Sequence, residues 1–161
     1  MVQNAAATVN LQVSKAFLYQ GSRLLLQLRD NIPEIIAPDR WGLFGGSVEA
    51  GETPVEAMKR EIAEELCWMP PEPKYLLTWE VPDRACTIYI FGIPLTVGTS
   101  QLTLTEGQAF QLFTFEELTQ LPLVPKIPRM LPQVVEAIDF PELSLAWQEF
   151  TTKKLKWSVS D

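Results

Sequence analysis

The chain has 161 residues, 47% apolar and 20% charged, which supplies enough apolar material for a core and excludes wholesale disorder. Thirteen Lys and Arg against twenty Asp and Glu leave a net charge of −7, so duplex nucleic acid finds no cationic footprint to grip. Histidine is absent, which excludes His-based triads, His-containing zinc sites and an imidazole general base.

This length predicts a single domain over residues 1–161. Residues 9–19 and 23–29 flank Gln20-Gly21-Ser22 and predict a β-hairpin. Residues 31–40 carry Pro33 and Pro38 without a clean period and read as a loop, and residues 41–48 hold a short strand running into glycines. The best helix is predicted over residues 53–66. Residues 75–80, 86–95 and 109–114 are rich in β-branched and aromatic side chains and predict strands. Residues 115–120 suit one helical turn. A second helix is expected over 128–140, where Pro132 is tolerable only because it lies near the first turn. In the last segment, 141–161, Leu143, Trp147 and Phe150 fall at i, i+4 and i+7 and predict a further amphipathic helix. Lys153, Lys154 and Lys156 then either complement the end of that helix or steer phosphates.

No address or anchor is visible. Residues 1–5 lack the basic and apolar regions of a secretory signal, and the longest apolar stretch, 86–97, is interrupted by Gly92 and Pro94. A cytoplasmic protein without a membrane partner is expected. Cys67 and Cys86 are then two buried or half-buried free thiols in a reducing compartment.

The helix over 53–66 carries the chemistry. Thr53 can cap it, Pro54 fits the first helical position, and Glu56 completes a capping box. Val55, Met58, Ile62 and Leu66 form one apolar stripe. At 3.6 residues per turn, Glu61, Glu64 and Glu65 share a sector roughly 100° wide beside that stripe, with Glu65 nearest the apolar edge. Two such charges about 6 Å apart repel by about 2–3 kcal/mol at an effective dielectric near 20, unless Arg60 and Lys59 relieve them. An ordinary solvated Glu/Lys face laced with i,i+4 pairs would explain the helix alone equally well. The preceding Gly42-Leu43-Phe44-Gly45-Gly46 changes the balance. Paired glycines let a carbonyl turn toward a ligand, and a hard divalent cation takes a carbonyl and glutamates without any histidine.

Gly46, Glu52, Arg60-Glu61-Ile62, Glu64 and Glu65 match, position for position, the Nudix box: Gly, five residues, Glu, seven residues, Arg-Glu-aliphatic-any-Glu-Glu-any-Gly-aliphatic. The chain therefore resembles the MutT-like Nudix hydrolase family, with the box at residues 46–67. The strand at 23–29, the Trp-Gly-Leu-Phe-Gly-Gly entry, Glu106-Gly107-Gln108, Phe113 and Glu116-Glu117-Leu118 extend the likeness over residues 10–138. One position departs: the family's glycine after Leu66 is Cys67. That glycine ends the helix in a left-handed turn, so Cys67 is expected to cost about 1 kcal/mol or to shift the helix end.

The resemblance implies an α+β fold with a mixed sheet in an α-β-α sandwich. It also implies hydrolysis, dependent on Mg²⁺ or Mn²⁺, of a nucleoside diphosphate linked to another group. Glu61 and Glu65 are the first-choice metal ligands, with Glu64 beside them, the Gly45 carbonyl opposite, and Glu106 as a further ligand or general base. Arg60 orients Glu61, and Glu61, Glu64, Arg60 and Glu106 form the catalytic set, supported by Gly46 and Glu52. Arg29 and Arg84 are candidates for phosphate contacts or are surface ion-pair and turn residues. Trp41 and Phe44 stack a base or belong to the core. Bound metal would invert the field that a −7 protein presents to a pyrophosphate. Members that clean oxidised purine nucleotides often carry an Asn before the last helix, where this chain reads Val124-Pro125-Lys126-Ile127-Pro128. An oxidised-guanine nucleotide is thus one option beside ADP-sugars and nucleotide sugars. A homodimer is an option for assembly. The competing expectation is a catalytically inactive Nudix-like nucleotide-binding or regulatory module.

Overall fold

The computed structural model describes residues 9–153. Its centre is β1 (Leu11–Gln20), which turns through Gly21 into β2 (Arg23–Leu28) as the expected hairpin. The loop at 31–40 leads into β3 (Trp41–Gly42) and β4 (Phe44–Ser47). The single strand expected over 41–48 is therefore two, because the chain changes partner at Leu43: Gly42 pairs with Gln27 of β2, whereas Phe44 pairs with Ala16 of β1. Helix α1 (Pro54–Leu66) follows, then β5 (Lys74–Val81), β6 (Cys86–Pro94), β7 (Ala109–Phe113), the short α2 (Phe115–Leu118), α3 (Lys126–Ile138) and α4 (Pro141–Thr152).

The sheet runs β3-β2-β1-β6-β5, with β4 beside β1 and β7 beside β2. β1 pairs in parallel with β6 and antiparallel with β2 and β4, so the sheet is mixed as expected. Side-chain alternation along β1 builds two cores. Ala16 and Leu18 point with Leu25, Phe44 and Phe91 toward Met58, Ile62 and Leu66 of α1. Phe17 points the other way with Leu24, Leu26 and Ile90, toward Ile127, Leu131 and Val134 of α3 and Leu143 and Phe150 of α4. These are the three layers of the sandwich. Val55, the first member of the predicted α1 stripe, is only partly buried, and Ala57 is buried instead.

Three local expectations change. Helix α3 begins at Lys126, not 128, behind Pro125, which has no side-chain oxygen to mark the start. Pro132 consequently lies inside the helix, where it has no N–H to give the Pro128 carbonyl. Cys67 is exposed, not buried, while Cys86 is half-buried. α4 itself forms as predicted, with Leu143 and Phe150 buried and Trp147 packed edge-on to Phe115 at 5.0 Å. Lys153 ends it, and its backbone N–H donates to Glu149; Lys154 and Lys156 lie outside the described residues. Among the described residues no helix is long and apolar enough to cross a membrane.

Helix α1 does not shift to avoid Cys67. The residue takes the left-handed conformation (φ 51°, ψ 39°) that the motif's glycine would supply. A Cβ in that conformation costs on the order of 1 kcal/mol. Cys67→Gly is therefore expected to raise unfolding stability by about 1 kcal/mol, less the added chain entropy of glycine, as read from urea denaturation.

Candidate active site

The site is built where β4 meets α1. Gly45 has φ +132°, and a Cβ there would lie 2.0 Å from the Ser14 carbonyl oxygen, so only glycine fits. The peptide groups on either side of its Cα are both held. The Gly45 N–H donates to Glu65 Oε2 at 2.9 Å, and its carbonyl accepts from Lys15 Nζ at 3.1 Å. Gly46 makes room in a different way: a Cβ there would meet the Glu61 carboxylate at 2.5 Å. The buried Ser14 donates to the Pro54 carbonyl at 2.7 Å and ties the start of α1 to β1. The capping box closes as expected, with the Thr53 hydroxyl accepting from the Glu56 N–H and the Glu56 carboxylate from the Thr53 N–H.

Arg60 organises the acidic face. Its guanidinium grips Glu52 with two bonds of 2.6 and 3.0 Å, reaches Glu61 at 2.9 Å and Glu64 at 3.3 Å, and donates to the Ser47 carbonyl. Glu52 is thereby held below the usual carboxylate range, first by Arg60 and then by the Glu49 N–H. Lys59 takes no part in relieving the cluster, since it pairs with Glu72. Glu64 is exposed and directed to Arg60.

Glu65 stands apart. It is 3% exposed, and burial pushes its carboxyl up to about 7, with Glu61 and Glu106 adding to the rise and Lys15 and the Gly45 N–H opposing it. Glu106 arrives from a distant loop by backbone bonding. The Thr103 and Thr105 N–H groups donate to the Leu66 and Glu65 carbonyls, and the Thr105 hydroxyl to the Glu64 carbonyl, which satisfies the open end of α1. Gly107 (φ +85°) then turns the loop into β7, with Gln108 bonded to the Leu28 and Arg29 carbonyls.

Two cavities meet here. The smaller, about 240 Å³, is polar and is lined by Gly45, Glu65, Glu106, Lys15, Arg29 and Asp30. The larger, about 510 Å³, is walled mainly by aliphatic side chains such as Val13, Leu43, Ile90, Val124 and Met130. Arg84 and Lys126 also line it, and Lys15 and Arg29 belong to both. Arg84 reaches the cavity from the 3₁₀ turn Pro82–Arg84.

Gly45, Glu65 and Glu106 are thus brought together, Glu61 lies against Gly46, and Arg29 and Arg84 face the larger cavity. The two aromatic candidates do not join them. Phe44 is fully buried against α1 and has no free face for a base. Trp41 packs edge-on against Phe113 at 4.8 Å, on the core side of its short strand. Sequence reasoning missed Lys15. The available signal was a lysine directly before the apolar run Ala16-Phe17-Leu18 of a predicted strand.

The donors fit a hard divalent cation in kind, since Gly45, Glu65, Glu106 and Glu61 offer only oxygens. They are not yet gathered around one point: among the described residues no three acidic or thiol side chains stand close enough together to hold an ion. Lys15 occupies the Gly45 carbonyl, and burial lowers its pKa against the opposing pull of Glu65, Glu61 and Glu106.

The family model for the NUDIX domain matches residues 11–134. No curated protein matches the chain. Among solved structures, the MutT NUDIX hydrolase of Burkholderia pseudomallei is 23% identical, with a TM-score of 0.66 over 79% of this chain and 99% of its own. The NUDIX domain of Shewanella oneidensis NrtR, complexed with ADP ribose, is 18% identical, with a TM-score of 0.65 over 85% of this chain and 94% of its own. A bifunctional NMN adenylyltransferase/ADP ribose pyrophosphatase of Francisella tularensis, complexed with AMP and a Mn ion, is 16% identical, with a TM-score of 0.68 over 82% of this chain and 43% of its own.

Proposed function

Because this chain belongs to the NUDIX domain family, we propose that it is a MutT-like Nudix hydrolase that cleaves the pyrophosphate linkage of a nucleoside diphosphate derivative with the help of Mg²⁺ or Mn²⁺. The observation that carries this reading is the junction of the two cavities. A polar pocket holding Gly45, Glu65 and Glu106 opens beside a large aliphatic one, and the cations Lys15 and Arg29 line both. A diphosphate seated across that junction would place its anionic middle by the cations and its organic end among the aliphatic side chains.

Glu65, Glu61 and the Gly45 carbonyl would hold the ion, with Glu64 and Glu106 as further ligands. When bound, a divalent cation supplies charge neutralisation of phosphoryl oxygens and acidifies water. The chain's own part is positioning, which is most of what phosphoryl transfer asks of a protein. Arg60 fixes Glu61 by a 2.9 Å bond, and Glu52 fixes Arg60 in turn. Glu106, set beside Glu65 by the bonds of its loop to α1, is the candidate to take a proton from water. Arg29 and Arg84 contact phosphate.

The test is a panel of ADP-sugars, nucleotide sugars and nucleoside triphosphates, oxidised-guanine nucleotides included, each incubated with and without Mg²⁺ or Mn²⁺. The expected result is metal-dependent release of a nucleoside monophosphate or sugar phosphate from at least one member. Tight binding of a nucleotide without product would assign a ligand-binding module instead.

A further inference from the structure

We propose that Lys15 is a resident cation of this site, which a divalent ion must displace from the Gly45 carbonyl before the surrounding carboxylates can hold that ion. The inference rests on the metal-dependent reading above and adds to it a residue outside the Nudix box.

Lys15 does not reach the site by chance of rotamer alone. β1 and β4 pair so that Lys15 and Gly45 are direct cross-strand partners, and the ammonium bonds the partner's carbonyl at 3.1 Å. The same residue gives its N–H to Glu65, so Lys15 and Glu65 bond the two peptide groups that flank one glycine Cα. Lys15 also lines the pocket that contains Glu65 and Glu106. An ammonium and a divalent ion cannot both sit against one carbonyl oxygen, because two like charges at contact distance repel strongly away from bulk water. With Lys15 in place, the Gly45 carbonyl is taken and an ammonium shares the pocket of Glu65 and Glu106.

The lysine has somewhere to go. Its four-carbon stem is flexible, and it lines the larger cavity as well as the smaller. A diphosphate at the junction would draw the ammonium toward its oxygens and free the Gly45 carbonyl. Metal and diphosphate should therefore load together, each raising the affinity of the other by the same factor.

The experiment measures Mn²⁺ binding to the full chain, free of nucleotide, by electron paramagnetic resonance titration. Lys15→Met is expected to bind Mn²⁺ at least about tenfold more tightly than the wild type, a change of about 1.4 kcal/mol. Lys15→Gln keeps a donor for the Gly45 carbonyl but no charge, and should also bind more tightly, while Lys15→Arg should not. Thermal melting identifies which variants are folded, and either neutral variant suffices. In the wild type, methylene diphosphate should tighten Mn²⁺ binding. Equal Mn²⁺ affinity in the wild type and a folded neutral variant would overturn the role of Lys15 and leave the hydrolase reading intact. Absence of Mn²⁺ binding in every protein, with diphosphate present, would overturn both.

Discussion

Glu65→Gln is expected to lower metal-dependent turnover by about 10²–10³-fold with the fold intact, the cost typical of removing one preorganised charged group from a site of charge stabilisation. Gln can still accept the Gly45 N–H, so the β4–α1 contact survives and the loss falls on the chemistry. The readouts are steady-state kinetics and circular dichroism. The same variant reports on pH. In the metal-free protein burial raises the Glu65 pKa from 4.5 to about 7, so the native state binds the proton more tightly than the unfolded chain does. Stability associated with this proton is complete below pH 4.5 and is lost as the pH climbs to and through about 7, by on the order of 3 kcal/mol. Lys15, shifted downward, contributes the opposite slope in the range below 10.5. Urea unfolding of the chelator-treated wild type should therefore weaken from pH 4.5 toward 7, and Glu65→Gln should flatten that decline. A Glu65→Gln curve with the same slope as the wild type across the window would show that Glu65 does not set the decline.

Gly45→Ala should have the largest effect on stability. The residue combines φ +132° with a would-be Cβ 2.0 Å from backbone, the Ser14 carbonyl, which cannot move without tearing β1 from β4. Backbone strain and overpacking together cost about 4 kcal/mol or more. Gly51→Ala is the matched control: it also has positive φ, but its Cβ would meet nothing within 4 Å, so about 1 kcal/mol is expected. Urea midpoints for the two variants separate the clash from the conformation. Similar midpoints would mean that the β1–β4 approach is looser than described.

The contrast between these glycines shows what a sequence can and cannot disclose. Thr53-Pro54-Val55-Glu56 disclosed the start of α1 because a capping box is chemistry within four consecutive residues. The Arg60–Glu61 contact was expected from the family resemblance, whereas Glu52, which precedes the Thr53 cap, was expected only as a supporting residue. Phe44 was ambiguous because its face depends on the register of β4 against β1, and the partner lies far back in the chain. Lys15 stood out only as a lysine beside an apolar run, since nothing near residue 15 indicates that Gly45 will stand opposite it. Glu106 was recognised from its Glu-Gly-Gln setting. Its place beside Glu65 depends on threonines bonding the end of α1, a tertiary event without a local signature. The early start of α3 escaped because Pro125 sets it without a capping hydroxyl or carboxylate.

The parallel pairing of β1 with β6 has a consequence for biogenesis. During synthesis the hairpin, β4 and α1 emerge first, and they contain every site group except Glu106 and the cations of the far wall. Until residues 86–94 leave the ribosome, however, one margin of β1 keeps its amides and carbonyls unsatisfied, an adhesive border for any neighbouring nascent chain. The half of this molecule that carries most of the proposed site is thus born sticky, and its safety depends on how soon the later strand arrives.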